Sequence, residues 1–243
     1  MIRLSLLDCG YKDQKILKDI DLEIKNHLTI LGVNGSGKST LAKTICGLLE
    51  YSGEIILESQ NLNKLSLKQR AKIISYIPAK LDVYDEFISV DEFVLLGRFA
   101  YKESFFSYTQ KDKTIRDESI KLLKIEHLKN HTLNSLSSGE QQLIQIAAAL
   151  TQQSEIIIFD EPTANLDPHN TKIIAQHIKA LKEYHNIILI THDLHLAKYV
   201  GSEIGFIKAK KLLHFKNSFE FFDEKNLQEL YGVEFNSLAV RYD

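Results

Sequence analysis

Gly32-Val33-Asn34-Gly35-Ser36-Gly37-Lys38-Ser39 has the residue types and spacing of a loop that wraps phosphate. The glycines let the backbone curl until successive N–H groups point inward at anionic oxygens. A helix starting near Lys38 adds its positive end. The Lys38 ammonium then reaches the β- and γ-phosphates, and the Ser39 hydroxyl offers a hard oxygen to Mg2+. Further on, Ile156-Ile157-Ile158-Phe159 runs into Asp160-Glu161. Acids at the carboxyl end of a buried parallel strand fall in the crevice where ligands bind. Asp160 is a second oxygen ligand for Mg2+, direct or through water. Glu161 is a base that orients and deprotonates an attacking water. Ile187–Ile190 is followed by Thr191-His192-Asp193. That puts an imidazole at the same edge, in reach of the γ-phosphate and the water. The other histidines read as structural or exposed.

These groups need elements to hold them. Leu28–Leu31 is a short apolar run that stops at the glycine loop, and residues 38–49 read as the helix that follows. Ile20–Lys25 alternates apolar and polar, as a half-buried strand does. Further strands are predicted at Gly53–Leu57, Ile73–Ile77, Glu155–Phe159 and Asn186–Ile190. Helices are predicted near 66–72, Val90–Leu96, Ile115–Leu128 and 169–184. The near-continuous apolar runs predict strands buried on both faces of a parallel sheet. Strand–helix alternation predicts an α/β core. The stretch from about 80 to 150 is helical in period, which predicts an insertion into one compact unit.

The chain has 243 residues, 44% hydrophobic and 26% charged, with a net charge of −2. That excludes disorder as the dominant state. It also gives no global basic field for nucleic acid. Cys9 and Cys46 are too few for a disulfide framework and read as reduced core residues. No segment approaches a membrane span, and the start does not read as a signal peptide.

Leu136-Ser137-Ser138-Gly139-Glu140-Gln141-Gln142, added to these motifs, resembles the signature of ATP-binding-cassette (ABC) ATPases. The spacings from Lys38 to Gly139 and from there to Asp160 also match that family. Ala164-Asn165-Leu166-Asp167 resembles its D-loop, and His192 its switch histidine. The resemblance implies a P-loop (RecA-like) α/β core with a mostly parallel sheet, an N-terminal antiparallel β subdomain and an inserted helical subdomain. Residues 1–79 and 152–243 would form the core, and 80–151 the helical part. ATP and Mg2+ are the implied cofactors. Asn34, Gly35, Ser36, Gly37, Lys38, Ser39 and Thr40 would hold phosphate, and Tyr11 would stack on adenine. Two copies would face head to tail. Ser137, Ser138, Gly139 and Glu140 of one, with Asp167, would then complete the site of the other. Integral membrane permease subunits, and indirectly a substrate-binding protein, are the implied partners. The chain would sit on the cytoplasmic face of the cell membrane.

Val94-Leu95-Leu96-Gly97-Arg98 and the tail Leu227–Val233 resemble ATPases of ferric siderophore, haem or cobalamin importers. Gly97-Arg98 also reads as a helix C-cap followed by a solvated arginine. A soluble ABC switch protein and the motor of another transporter class are the competing readings. A nucleotide kinase is disfavoured by the signature. Four positions depart from the family, of which Leu143 and Ala148 stand where many relatives carry Arg. Ala79 stands where a metal-contacting Gln is usual, and Ser138 replaces a glycine. Within Phe99–Lys113, Tyr101, Phe105, Phe106 and Tyr108 read as a partner-docking run or as aromatics folded back on the helical part. Val83, Tyr84 and Phe87 are candidate contacts to the membrane subunit.

Overall fold

The computed structural model describes residues 1–12, 14–81, 85, 87–102 and 107–232. Val83, Tyr84, Phe105, Phe106 and Val233 lie outside the described residues.

Two sheets share one core. Strands β1 (Ile2–Tyr11), β2 (Gln14–Ile24), β4 (Tyr51–Leu57) and β5 (Gln60–Asn61) form an antiparallel sheet ordered β2-β1-β4-β5. Its alternating apolar residues, among them Leu4, Leu17, Ile20, Leu22 and Ile55, are buried on one side. Between Leu4 and Leu7 the register slips. There Leu6 takes φ 47° and its N–H is bound by Asp21 Oδ1 at 2.8 Å. A bulge of this kind turns the strand and keeps Leu7 inward.

The second sheet holds β3 (Leu28–Gly32), β6 (Ile74–Ile77), β7 (Ile156–Asp160), β8 (Asn186–Ile190), β9 (Glu203–Lys208) and β10 (Lys211–Phe215). Its order is β10-β9-β3-β8-β7-β6, parallel except for the β9–β10 hairpin. Side chains alternate across a pleated sheet. Ile30, Ile156, Ile158, Ile188 and Ile190 accordingly pack on one face, with the antiparallel sheet and helix α1 (Lys38–Ile45). Ile157, Phe159, Ile187 and Leu189 pack on the other. They meet Ile144, Ile146 and Ala147 of helix α5 (Ser138–Gln152) and Ile174 and Ile178 of helix α6 (Pro168–Leu181).

Helix α2 (Leu67–Ile73) leads into β6. Between β6 and β7 the chain forms α3 (Val90–Leu95), a 3₁₀ segment (Leu96–Tyr101), α4 (Gln110–Leu122) and α5. Ser66, Ser89, Thr109 and Ser137 each open a helix with a reciprocal capping box. This satisfies first-turn N–H groups that would otherwise go unpaired. The helical period read over Ile115–Leu128 is displaced. α4 starts at Gln110 and ends before Lys124, which takes φ 57°.

Arg98 corrects the expectation of a solvated side chain. It is 3% exposed, donates from Nε to Asp112 Oδ1 at 2.8 Å, and donates to Thr151 O and Gln153 Oε1 at 3.0 Å each. Its guanidinium also lies over the Tyr101 ring. Gly97 is not a free cap either. A Cβ there would sit 2.4 Å from Ala148 O, so the 3₁₀ segment rests directly on α5. Tyr101 and Tyr108 fold back under Arg98 and Lys102, whereas Phe99 is exposed. Of the sulfurs, Cys9 belongs to the core and Cys46 packs against it, both as free thiols.

The sequence pattern predicts no element past Ile190, although the tail Leu227–Val233 carries a family resemblance. Helices α7 (Leu194–Val200), α8 (Ser218–Phe221) and α9 (Glu224–Tyr231) close the edge around β9 through Leu31, Ala197, Phe206, Phe221 and Leu227.

Candidate functional site

Strand order decides which loops meet. β8 lies between β3 and β7. His192, just past β8, therefore stands between the glycine loop and the acids that end β7.

The glycine loop leaves β3 and enters α1 through Gly37, whose φ is 106°. A Cβ at Gly37 would also lie 2.8 Å from Ile16 Cγ2, so the position requires glycine twice over. Helix α1 has neither a side-chain cap nor an acid in its first turn. Its first N–H groups and dipole are left facing the loop, where they suit an anion. The Ser36 hydroxyl is buried in the same loop without a hydrogen-bond partner. Buried hydroxyls normally have one, and a phosphate oxygen would supply it.

Lys38 is 6% exposed. Its ammonium donates to Gly32 O at 2.9 Å and Val33 O at 3.2 Å, and lies 3.6 Å from Glu161 Oε1. Glu161 takes φ 50°, a left-handed backbone uncommon for a residue with a side chain. Its backbone N–H is fixed by Ile190 O at 2.8 Å. Its Oε2 accepts from His192 Nδ1 at 2.8 Å and from the His192 N–H at 3.3 Å. One carboxylate thus joins the loop lysine to the histidine.

Ser39 and Asp160 form the neighbouring pair. The Ser39 hydroxyl donates to Asp160 Oδ1 at 2.9 Å, and Asp160 is 3% exposed. These are hard oxygens, too few to hold a cation alone and suited to one that arrives with phosphate oxygens and water. The donor set fits Mg2+. Asp160 Oδ2 accepts from the Tyr76 hydroxyl at 2.7 Å. Burial first, and that bond second, push the Tyr76 phenol far above its usual range, so it stays a donor. Sequence reading missed Tyr76. The signal available was its period-two position in β6, without the strand order that gives the position meaning. Cys46, beneath this pair, has its thiol pushed up to about 12 by burial and by the Asp160 carboxylate.

The signature residues stand apart. Among the described residues, no hydrogen bond or ion pair joins Ser137, Ser138, Gly139 or Glu140 to the glycine loop. Ser137 Oγ donates to Glu140 Oε2 at 2.6 Å and caps α5. That bond, with the Ser137 N–H, holds the Glu140 carboxyl below its usual range. Gly139 backs onto Asn170, with so little room that a Cβ would come within 2.5 Å of its amide. Asn170 Nδ2 in turn donates to Asp167 Oδ2 at 2.5 Å, and Asp167 caps α6. The signature and the D-loop-like turn are thereby joined within one chain. Asn170 is a second residue sequence reading did not single out.

Tyr11 ends β1, opposite Gln14, and is 46% exposed. Next to it, a cleft of about 540 Å³ runs from Gln14 and Ile16 along Val33–Ser36 to Lys208 and Tyr231; Tyr11 does not line it. Ala79 follows Pro78 beyond β6 and has no ligand atom to offer.

Known proteins match this arrangement. The ABC transporter family profile covers residues 17–164. A protein of Bacillus subtilis named as a probable siderophore transport system ATP-binding protein, YusV, is 32% identical over 216 residues, covering 87% of this chain and 78% of that one. A protein of Helicobacter pylori named as a probable iron chelatin transport ATP-binding protein is 30% identical over 244 residues, covering 98% and 95%. The dimeric ATP-binding cassette MJ0796, solved in a post-hydrolysis state with ADP and Pi, superposes with a TM-score of 0.77. It is 28% identical over 89% of this chain and 98% of that one. The phosphate loop, the acid-tipped strand and the two-sheet fold have their explanation in that match: the chain belongs to the ABC transporter family, as an ATP-hydrolysing, nucleotide-binding subunit.

Proposed function

We propose that this subunit powers a membrane importer of metal chelates of the ferric siderophore, haem or cobalamin type. The joining of Lys38, Glu161 and His192 at one sheet edge, beside Ser39 and Asp160, carries the hydrolytic part of the reading. The cargo class is supported by the names of the relatives in B. subtilis and H. pylori and by the Leu96-Gly97-Arg98 segment.

In this reading the loop amides from Asn34 to Thr40 cradle the phosphates, and Lys38 neutralises their outer charge. Glu161 takes the proton of the attacking water, and His192 holds Glu161 in position. Ser39 and Asp160 hold Mg2+, which when bound neutralises charge on the phosphate oxygens. Tyr11 packs on the base. Ser137, Ser138, Gly139 and Glu140 act across a head-to-tail dimer on the partner copy's ATP, with Asp167 at the same interface. The separation of signature and phosphate loop within one chain supports this, as does the dimeric state of MJ0796. Residues 1–79 and 152–243 form the catalytic body, and 80–151 the helical unit that meets the permease. Phe87, Leu96 and Phe99 are exposed there. The subunit would sit on the cytoplasmic face of the membrane; no helix among the described residues is long and apolar enough to cross one. A substrate-binding protein would act through the permease, without touching this chain.

The test pairs the wild-type chain with Glu161→Gln. The expected result is ATP turnover in the wild type and an ATP-dependent dimer of the variant on size exclusion. Co-expressed with its permease, the wild type drives ATP-dependent uptake of a ferric chelate into vesicles. A complex that hydrolyses ATP yet takes up no metal chelate overturns the cargo assignment. A chain that neither hydrolyses ATP nor dimerises overturns the motor.

A further inference from the structure

Tyr76 and Asp160 come from different strands, and register brings them together. β6 and β7 run parallel with Tyr76 opposite Ile158. Asp160 lies two residues further along β7 and so shares that face. The Tyr76 ring packs against the apolar layer containing Ile158 and carries its hydroxyl to Asp160 Oδ2 at 2.7 Å. The other oxygen, Oδ1, accepts from Ser39 at 2.9 Å. With one oxygen pinned, the carboxylate cannot rotate about its terminal bond, and Oδ1 stays turned to the side where Ser39 stands. Ala79, just past β6, has no side-chain ligand atom. Through the Tyr76 hydroxyl, β6 reaches the Ser39–Asp160 pair.

We propose that Tyr76 is a positioning residue, which holds Asp160 in the orientation needed to receive Mg2+ with the nucleotide. The proposal rests on the reading of Asp160 as a metal-binding carboxylate. Groups that orient a metal ligand from behind generally matter to metal affinity nearly as much as the ligands do.

The experiment measures binding, in a Glu161→Gln background that removes turnover. A fluorescent ATP analogue is titrated with EDTA present, then over a Mg2+ series, for the parent, Tyr76→Phe and Asp160→Asn. Tyr76→Phe keeps the ring and removes the hydroxyl. The expected result is unchanged analogue affinity in EDTA and a Mg2+ half-saturation raised about tenfold. In the Glu161 wild-type background, the same change lowers kcat at subsaturating Mg2+ and leaves KM for MgATP unchanged. Parental Mg2+ half-saturation in folded Tyr76→Phe overturns the proposal. If Asp160→Asn loses the Mg2+ response and Tyr76→Phe does not, only the role of Tyr76 falls. If Asp160→Asn also responds normally to Mg2+, the metal reading of Asp160 falls with it. Should Tyr76→Phe not fold, 3-fluorotyrosine at position 76 retains the ring and gives a stronger donor. A shifted Mg2+ half-saturation then supports the proposal, and an unshifted one overturns it.

Discussion

Glu161 carries two contacts at once, to the Lys38 ammonium and to the His192 ring. Its strained φ sets the carboxylate where both reach it. Replacing it with Gln keeps size and backbone but removes the proposed base. Turnover should fall about 10³-fold with ATP affinity retained, as read by steady-state hydrolysis beside nucleotide binding. Lys38→Ala should instead lose nucleotide affinity itself, because the buried cation is what offsets the phosphate charge. An equal loss of binding in both variants would contradict this division of labour. Lys38, Ser39, Asp160 and Glu161 were legible in the sequence because each belongs to a short motif with local spacing. Tyr76 and Asn170 were not. Each acts on a residue that only the fold brings near, across a strand pair in one case and against another helix in the other.

The helical insertion depends on a buried charge pair more than on its propensities. Burial alone would raise the Asp112 carboxyl, but the Arg98 and Thr109 bonds outweigh that and hold it below its usual range. Arg98 ties the 3₁₀ segment to α4 through Asp112 and to the end of α5 through Thr151 and Gln153. Asp112→Asn leaves a buried guanidinium without its counter-ion, and the expected cost is about 3 kcal/mol, read as a lower thermal midpoint. The pH sign follows from the depressed carboxyl. Its stabilisation is whole above the ordinary Asp range, about pH 4, and is lost as acid carries the carboxyl through its lower folded value. Other depressed carboxyls lose stability in acid in both proteins, so the midpoint should fall more steeply with acid in wild type than in Asp112→Asn. At this scale the sequence was partly legible. Apolar runs and capping residues located the strands and helix starts. The end of α4 was missed because Lys124 takes a left-handed turn without glycine or proline to announce it. The β9–β10 hairpin was missed because its turn, Ala209-Lys210, also has positive φ without glycine or asparagine.

Across the whole molecule, the parts of the proposed site lie in two places. The glycine loop and the acids share one sheet edge, while Ser137 and Gly139 open α5 against α6. If a second copy supplies the missing part, Gly139→Asp should abolish ATP-dependent dimerisation, because the added carboxylate meets Asn170 on one side and phosphate on the other. ATP affinity of the single subunit should survive, and size exclusion beside nucleotide titration would show both. The two-layer α/β plan was legible from alternation of apolar runs. Strand order was not, since no local pattern says that β8 lies between β3 and β7.

Both sulfurs sit in the same apolar layer, Cys9 buried and Cys46 partly so, with the latter's thiol pushed up to about 12. At neutral pH the raised thiol disfavours the thiolate, the form that reacts. Maleimides and mild oxidants should leave the native subunit unmodified and label both cysteines after denaturation, as mass spectrometry would record. With that result, the wild-type sequence is a silent background for chemical labelling: a single cysteine introduced at an exposed position such as Phe99 would be labelled selectively without first removing the native pair.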